Sequence, residues 1–187
     1  LQKLFFQSEF ETGDVTLFDK WAKDYFGIKL PEDFIDFIDF INSNGVGREP
    51  IPCRFDGKID MEELIIEAFL RLSPSDNLAS IQASTDRAIG EDWISDDFVM
   101  FAEGAAGHLS FVLAVKGPHR GKVFAFVDSG VYLDGDQIRL ENGALHLANT
   151  FSEFIDGLYA DEDDIDDWED SMDYLPDEIK EKFGSGS

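Results

Sequence analysis

The order of three signals constrains this fold more than any single motif. An apolar helix opens at Leu30-Pro31-Glu32-Asp33-Phe34 and stops at Asn44-Gly45, glycine-punctuated strands run between Gly104 and Val127, and a last helix is entered through Asn149-Thr150-Phe151. Pro31 sits where a helix loses an N–H without cost, and Glu32 and Asp33 fill the first turn, where negative charge suits the helix dipole. Phe34, Phe37, Ile38 and Ile41 then repeat at i, i+3, i+4, i+7. Asn44-Gly45 supplies a left-handed exit. Ile35 and Phe40 widen the apolar face, so this helix is expected to be packed on more than one side.

Upstream, Thr16 to Phe26 places Leu17, Trp21 and Phe26 at roughly helical intervals, with Gly27 ending the turn. Downstream of Pro50 and Pro52 a short β-type segment is expected. Met61 to Leu72 then reads as a second amphipathic helix with Leu64, Ile65, Ala68, Phe69 and Leu72 on its apolar side, ended by Ser73-Pro74. Ser75 to Gly90 shows no period. From Asp97 the pattern turns to strands: Phe98 to Ala102, then Leu109, Phe111, Leu113 and Val115 on one face, then Lys122 to Asp128. Ile138 to Leu140 and Ala144 to Leu147 are further strands, separated by the turn dipeptide Asn142-Gly143. Thr150 or Asn149 caps the last helix, whose Phe151, Phe154, Ile155 and Leu158 share a face, and Glu153 completes a capping box. The fold class is therefore α+β: a single domain with an antiparallel, meandering β-sheet flanked by helices, and an acidic C-terminal tail.

The 187 residues are 43% hydrophobic and include 18 Phe, enough for one sizeable core. Residues 1–15 form an N-terminal flank, 16–159 the domain, 160–183 the acidic tail, and 184–187 (Gly-Ser-Gly-Ser) a linker outside the folding argument. In the tail, Ile165, Trp168, Met172, Tyr174 and Leu175 are apolar anchors among acids, so it is expected to dock on its own domain or on a partner. No apolar run is long enough to span a bilayer and no secretory signal pattern opens the chain, so no membrane association is expected. Cys53 is the only cysteine, which fits a reducing compartment, and the expected location is the cytoplasm.

Forty acidic against 15 basic residues leave a formal charge of −25. That surface repels nucleic acid and anionic membrane, so direct binding to either is not expected; it attracts a cationic partner and speeds its encounter.

Catalytic and metal readings are weak. Asp56 to Glu63 matches the second half of a calcium-binding EF-hand loop, but the first and third ligand positions fall on Pro52 and Arg54. A β-turn at Asp56-Gly57, with Asp60 capping the next helix, is the plainer reading. His108, His119 and His146 lack zinc-ligand spacing, and Cys53 is isolated. Carboxylate pairs such as Asp96 with Asp97 or Asp134 with Asp136 arise by chance in so acidic a chain. Gly104-Ala105-Ala106-Gly107 lies between two strands and lacks the Lys-Ser/Thr of a phosphate loop. No catalytic constellation and no cofactor are expected.

Gly27 to Phe34 through Asn44-Gly45, Phe98-Val99-Met100-Phe101-Ala102 with the Gly104 to Gly107 turn, Gly121-Lys122-Val123-Phe124, and Thr150 to Ile155 together resemble the SUKH superfamily, in its Smi/Knr-type branch. The resemblance spans about Thr16 to Tyr159, departs most between Gly47 and Trp93, and leaves the acidic tail as an addition. It implies an antiparallel sheet flanked by helices. It also implies a bacterial immunity protein that neutralises a toxin domain, a nuclease first, or else a regulatory protein-binding scaffold. The net charge makes a basic toxin the expected partner, and a small-ligand sensor with a sheet-face pocket is a third alternative. Partner-binding candidates are Asp96, Asp97 and Glu103 near the central strands, Asp134 and Asp136 in a turn, and Asp163, Asp166, Asp167 and Trp168 in the tail. Trp168 is the aromatic expected to anchor in a basic cleft.

Overall fold

The computed structural model describes residues 15–43, 53–59, 62–72, 80–104, 108–128, 130–141 and 143–166. In chain order they form α1 (Val15–Phe26), α2 (Glu32–Ser43), β1 (Cys53–Ile59), β2 (Glu62–Phe69), α3 (Ile81–Gly90), β3 (Phe98–Gly104), β4 (Leu109–Ala114), β5 (Val123–Val127), β6 (Val131–Asp134), β7 (Gln137–Leu140), β8 (Ala144–Ala148) and α4 (Phe151–Asp156). A 3-10 turn, Gly117–His119, joins β4 to β5, and a further helical turn follows at 162–166. The main sheet is antiparallel with six strands in the order β1-β2-β3-β4-β5-β8, and β6-β7 is a separate two-stranded ribbon. This is the α+β meander that the sequence predicts.

Two sequence expectations fail at β2. The stretch read as a helix from Met61 to Leu72 is a strand, because Leu64 and Ile66 are buried while Glu63 and Glu67 are exposed. A bulge between Ile66 and Ala68 then shifts the phase and returns Phe69 to the core. That one-residue slip makes an alternating pattern resemble a helical one. Asp56-Gly57 is likewise not a β-turn before a helix: Gly57, at φ 152°, lies in a bulge inside β1, and the element that follows is β2. Asp60 and Asn44-Gly45 lie outside the described residues.

Conversely, α3 emerges from the stretch without a period. Its buried face is Ile81, Ser84, Thr85 and Ala88, at the i, i+3, i+4, i+7 spacing but half polar. Ser80 caps it by accepting from Ala83 N at 3.1 Å. The polar face has a purpose in the sheet. Leu70 N donates to Phe101 O at 2.8 Å as β2 ends, and next along the β3 edge Thr85 Oγ1 accepts from Met100 N at 3.1 Å. Thr85 thus supplies a partner to a buried backbone donor at that edge.

The helical layer behind the sheet is a phenylalanine cluster. Phe101 of β3 lies 6.1 Å from Phe34 of α2, and 5.1 and 5.5 Å from Phe151 and Phe154 of α4. Phe34, Phe37, Ile38 and Ile41 are all buried, with Ile35 and Phe40 packed at the margin, so α2 has the broad apolar face expected. On α1 Phe26 is buried as expected, but the buried stripe reaches it through Phe18 and Ala22 rather than Leu17 and Trp21, and Leu17 is 63% exposed. The Asn142-Gly143 dipeptide does not join a β7-β8 hairpin; β7 pairs with β6 around Gly135-Asp136, and β8 pairs with β5. Gly135 has φ 62°, which the tight β6-β7 turn needs.

Replacing Thr85 by the isosteric Val leaves the Met100 donor without its acceptor in a dry site, an expected loss of ~1–3 kcal/mol. Urea unfolding of Thr85→Val against Thr85→Ser, which keeps the hydroxyl, measures it.

Candidate functional site

Local sequence puts an acidic face on two adjoining helices. α2 carries Glu32, Asp33, Asp36 and Asp39, α4 carries Glu153 and Asp156, and neither helix contains Lys or Arg. Asp33 fixes the two helices together: its carboxylate accepts from Ser152 N at 3.0 Å and Ser152 Oγ at 3.2 Å, in the first turn of α4. Thr150 Oγ1 accepts from Glu153 N at 3.0 Å, and the Glu153 carboxylate accepts from Asn149 N at 2.8 Å. These bonds satisfy N-terminal donors that the helix cannot pair itself. Between the helices runs a surface groove of about 320 Å³, lined by Phe37, Phe40, Phe151 and Ile155 and edged by Asp33, Asp36, Ser152 and Asp156. An apolar channel under a rim of carboxylates suits an amphipathic, cationic segment of another protein. The sequence signals were present, since the acids alternate with apolar residues along α2, but only the packing of α4 beside α2 makes a groove of them.

The residues singled out from sequence fall into three places. Asp96 and Asp97 precede β3, where Lys116 lies 3.4 and 3.9 Å from them. Asp97 is largely buried and also accepts from Ser95 Oγ at 3.2 Å. Asp134 and Asp136 are exposed around the β6-β7 turn, which reaches the same end of the sheet: Leu133 N donates to Ser95 Oγ, and Asp136 O is 2.7 Å from His119 Nε2. The connector here carries Lys116, His119, Arg120 and Lys122, so this end is much less negative than the sequence list suggests. Glu103 lies at the far end of β3, paired with Arg87 at 3.4 Å. Asp163 and Asp166 are exposed on the helical turn after α4, whereas Asp167 and Trp168 lie outside the described residues.

That turn is tied to the domain. Tyr159 and Arg54 exchange backbone bonds of 2.7 and 3.0 Å, and the Arg54 guanidinium meets Asp164 at 2.9 Å and Glu63 at 2.7 Å. The bond to Asp164 raises the Arg54 pKa further above its ordinary value. The beginning of the acidic tail therefore docks along β1, as one arm of the sequence reading has it. Beneath it, Cys53 is fully buried, and burial, with a smaller push from Asp164, raises its thiol to about 12.

Among the described residues, no group of three or more His, Cys, Asp or Glu is arranged to hold a metal ion, and no helix is long and apolar enough to cross a membrane. The profile of the SMI1/KNR4 family (SUKH-1) matches residues 18–157. The chain belongs to that family. No curated protein matches the sequence. Membership fits a protein-binding role of the immunity-protein kind.

The Cys53 thiol sets a pH dependence. Its pKa is near 9.0 unfolded and about 12 folded, so the folded state keeps a proton that the unfolded chain loses, and stability falls as pH rises from 9.0 towards 12. The expected slope is ~1.4 kcal/mol per pH unit within that window. Denaturant unfolding of wild type and Cys53→Ala at neutral pH and midway through the window should show the extra slope in wild type alone, and the native thiol should resist alkylation at neutral pH.

Proposed function

We propose that this SUKH-1 protein is an immunity protein: it binds a cognate toxin domain, most simply a nuclease, and excludes its substrate without turnover. The observation that carries this reading is the α2-α4 face, which has acids, no Lys or Arg, and a phenylalanine-lined groove, in a chain of net charge −25. A nuclease needs a cationic groove to hold phosphates, and an acidic surface of matching shape competes for that groove. Rim carboxylates then govern association rate and its salt dependence, while apolar contacts in the groove set residence time.

Within this reading the acids differ in what they offer. Asp97 and Glu103 are committed to internal pairs, and Asp96 shares Lys116, so their charge is offset locally and they contribute little to field or contact. Asp134, Asp136, Asp163 and Asp166 are exposed but lie away from the α2-α4 groove and add to the overall field, and Asp167 and Trp168 follow Asp163 and Asp166 in sequence.

The test is affinity capture from the source organism's lysate at low and high salt, followed by inhibition assays on the retained protein. One basic toxin domain, held near one to one and released by salt, is the expected result. Several unrelated proteins would favour a regulatory scaffold, and no retained protein would remove the support for immunity. With the toxin in hand, Asp36→Lys with Asp156→Lys should slow association at least ~10-fold and flatten its salt dependence, whereas Asp97→Asn should leave the salt dependence nearly unchanged. Asp167→Asn with Trp168→Ala tests those two residues while Asp164 stays on Arg54.

A further inference from the structure

Beside its buried stripe, α1 carries a second apolar ridge that is largely exposed at both ends and rests on the core through Trp21. Leu17, Trp21 and Tyr25 follow one another at i, i+4, i+8; Leu17 is 63% and Tyr25 42% exposed, and Trp21 is half-buried. The ridge is held rigid from below, since Trp21 stacks on Phe18 at 5.5 Å and on Tyr25 at 5.6 Å and meets Phe26 edge-on at 5.5 Å. With Lys20 and Asp24 these three residues line a shallow depression of about 390 Å³.

We infer that this ridge is a self-association surface, receiving the α1 ridge of a second copy in antiparallel, two-fold packing. Two features of the charge pattern select that occupant. First, Asp19, Lys20, Lys23 and Asp24 make α1 neutral, in a chain where 40 acids face 15 bases. Two molecules of charge −25 repel across most surfaces, and a neutral apolar strip is where they can approach. Second, Lys20 precedes Asp24 along the stripe. Antiparallel packing brings each Lys20 beside the other copy's Asp24, whereas parallel packing would set Lys beside Lys. Lys20 already pairs with its own Asp24, and both side chains are exposed enough to serve a second partner. Among the described residues, two acids near Tyr25 have partners of their own: Asp86 accepts from the Tyr25 hydroxyl, and Asp96 meets Lys116.

The α1 helix has 12 residues and is ~18 Å long, which makes a patch smaller than a standard interface, so the dimer is weak and reversible. Its salt response is distinctive. Screening relieves the long-range repulsion between two highly charged copies, so added salt tightens this association, opposite in sign to the expected loosening of a cationic partner. The inference does not rest on the immunity reading, and the purified chain alone tests it.

Sedimentation velocity over about 10 µM to about 1 mM protein, at ~0.02 M and ~0.3 M NaCl, should show the mass rising above 21.0 kDa with concentration, more so at the higher salt. Leu17→Asp should keep the protein at the monomer mass, with an unchanged thermal melt showing that the exposed site tolerates it. Lys20→Asp should weaken the dimer, and adding Asp24→Lys should restore it, which a folding defect would not do. A chain that stays at the monomer mass throughout, or a dimer indifferent to Leu17→Asp, overturns the proposal.

Discussion

The contact on which the rest of this structure depends is the interlock of Phe34, Phe101, Phe151 and Phe154. Phe101 stands on the central strand pair and meets rings from both α2 and α4. Phe55 of β1 stacks on Phe154 at 5.3 Å, so the edge strand joins the same cluster. These rings bury large areas and orient one another edge to face, fixing helix positions more tightly than aliphatic packing would. The Asp33 link to Ser152 matters because that packing already sets the two helices side by side; the carboxylate then locks their register. The groove is therefore a by-product of core geometry, with walls as rigid as the core beneath them.

A chain of this charge works against itself when it compacts. The structure relieves that strain unevenly. At the end of the sheet holding Asp96 and Asp97, the β4-β5 connector brings the Lys116 ammonium among the acids. Arg54 gathers Asp164, Asp161 and Glu63. The α2-α4 face receives less relief: Lys29 reaches Glu32 at 3.1 Å from outside the helix, and neither helix supplies a cation of its own. Among the described residues, negative potential is thus concentrated there by the scarcity of bases as much as by the number of acids.

The parts of the fold visible in sequence are those where one period runs uninterrupted. α2 shows it, the capping box at Thr150 adds a local signal of its own, and β3 to β5 stand out as apolar runs buried on both faces. What was hidden involves a change of phase or a polar residue doing a buried job. β2 is masked by its bulge: Leu64, Ile65, Ala68, Phe69 and Leu72 fall at helical intervals, while the strand buries Leu64, Ile66 and, past the bulge, Phe69. α3 is masked because Ser84 and Thr85 occupy core positions, and nothing local reveals that the β3 edge needs an acceptor there. On α1, Leu17 and Trp21 are the conspicuous apolar residues, yet Phe18, Ala22 and Phe26 form the buried stripe. A helix with two apolar stripes cannot be phased from sequence alone. Of the candidate site, the acids were legible and their neutralisation was not, because Lys116 lies some twenty positions from Asp96 and Arg54 over a hundred from Asp164.

The charges on α2 are better explained by what they present outward than by the helix they sit on. Glu32 and Asp33 favour the N-terminal dipole, and Asp33 has its bond to Ser152. Asp36, however, has like charge one turn away on both sides, at Glu32 and Asp33 and again at Asp39, and each such pair opposes helix formation by ~0.2–0.5 kcal/mol. Asp156, at the last position of α4, faces the negative end of its dipole. α1 shows the contrasting arrangement, with Lys20 and Lys23 each one turn from an opposite charge. A stretch shaped only for its own stability would resemble α1. That α2 and α4 instead carry mutually repelling acids at the lip of an apolar groove gives up local stability for field, which is the arrangement the proposed function calls for.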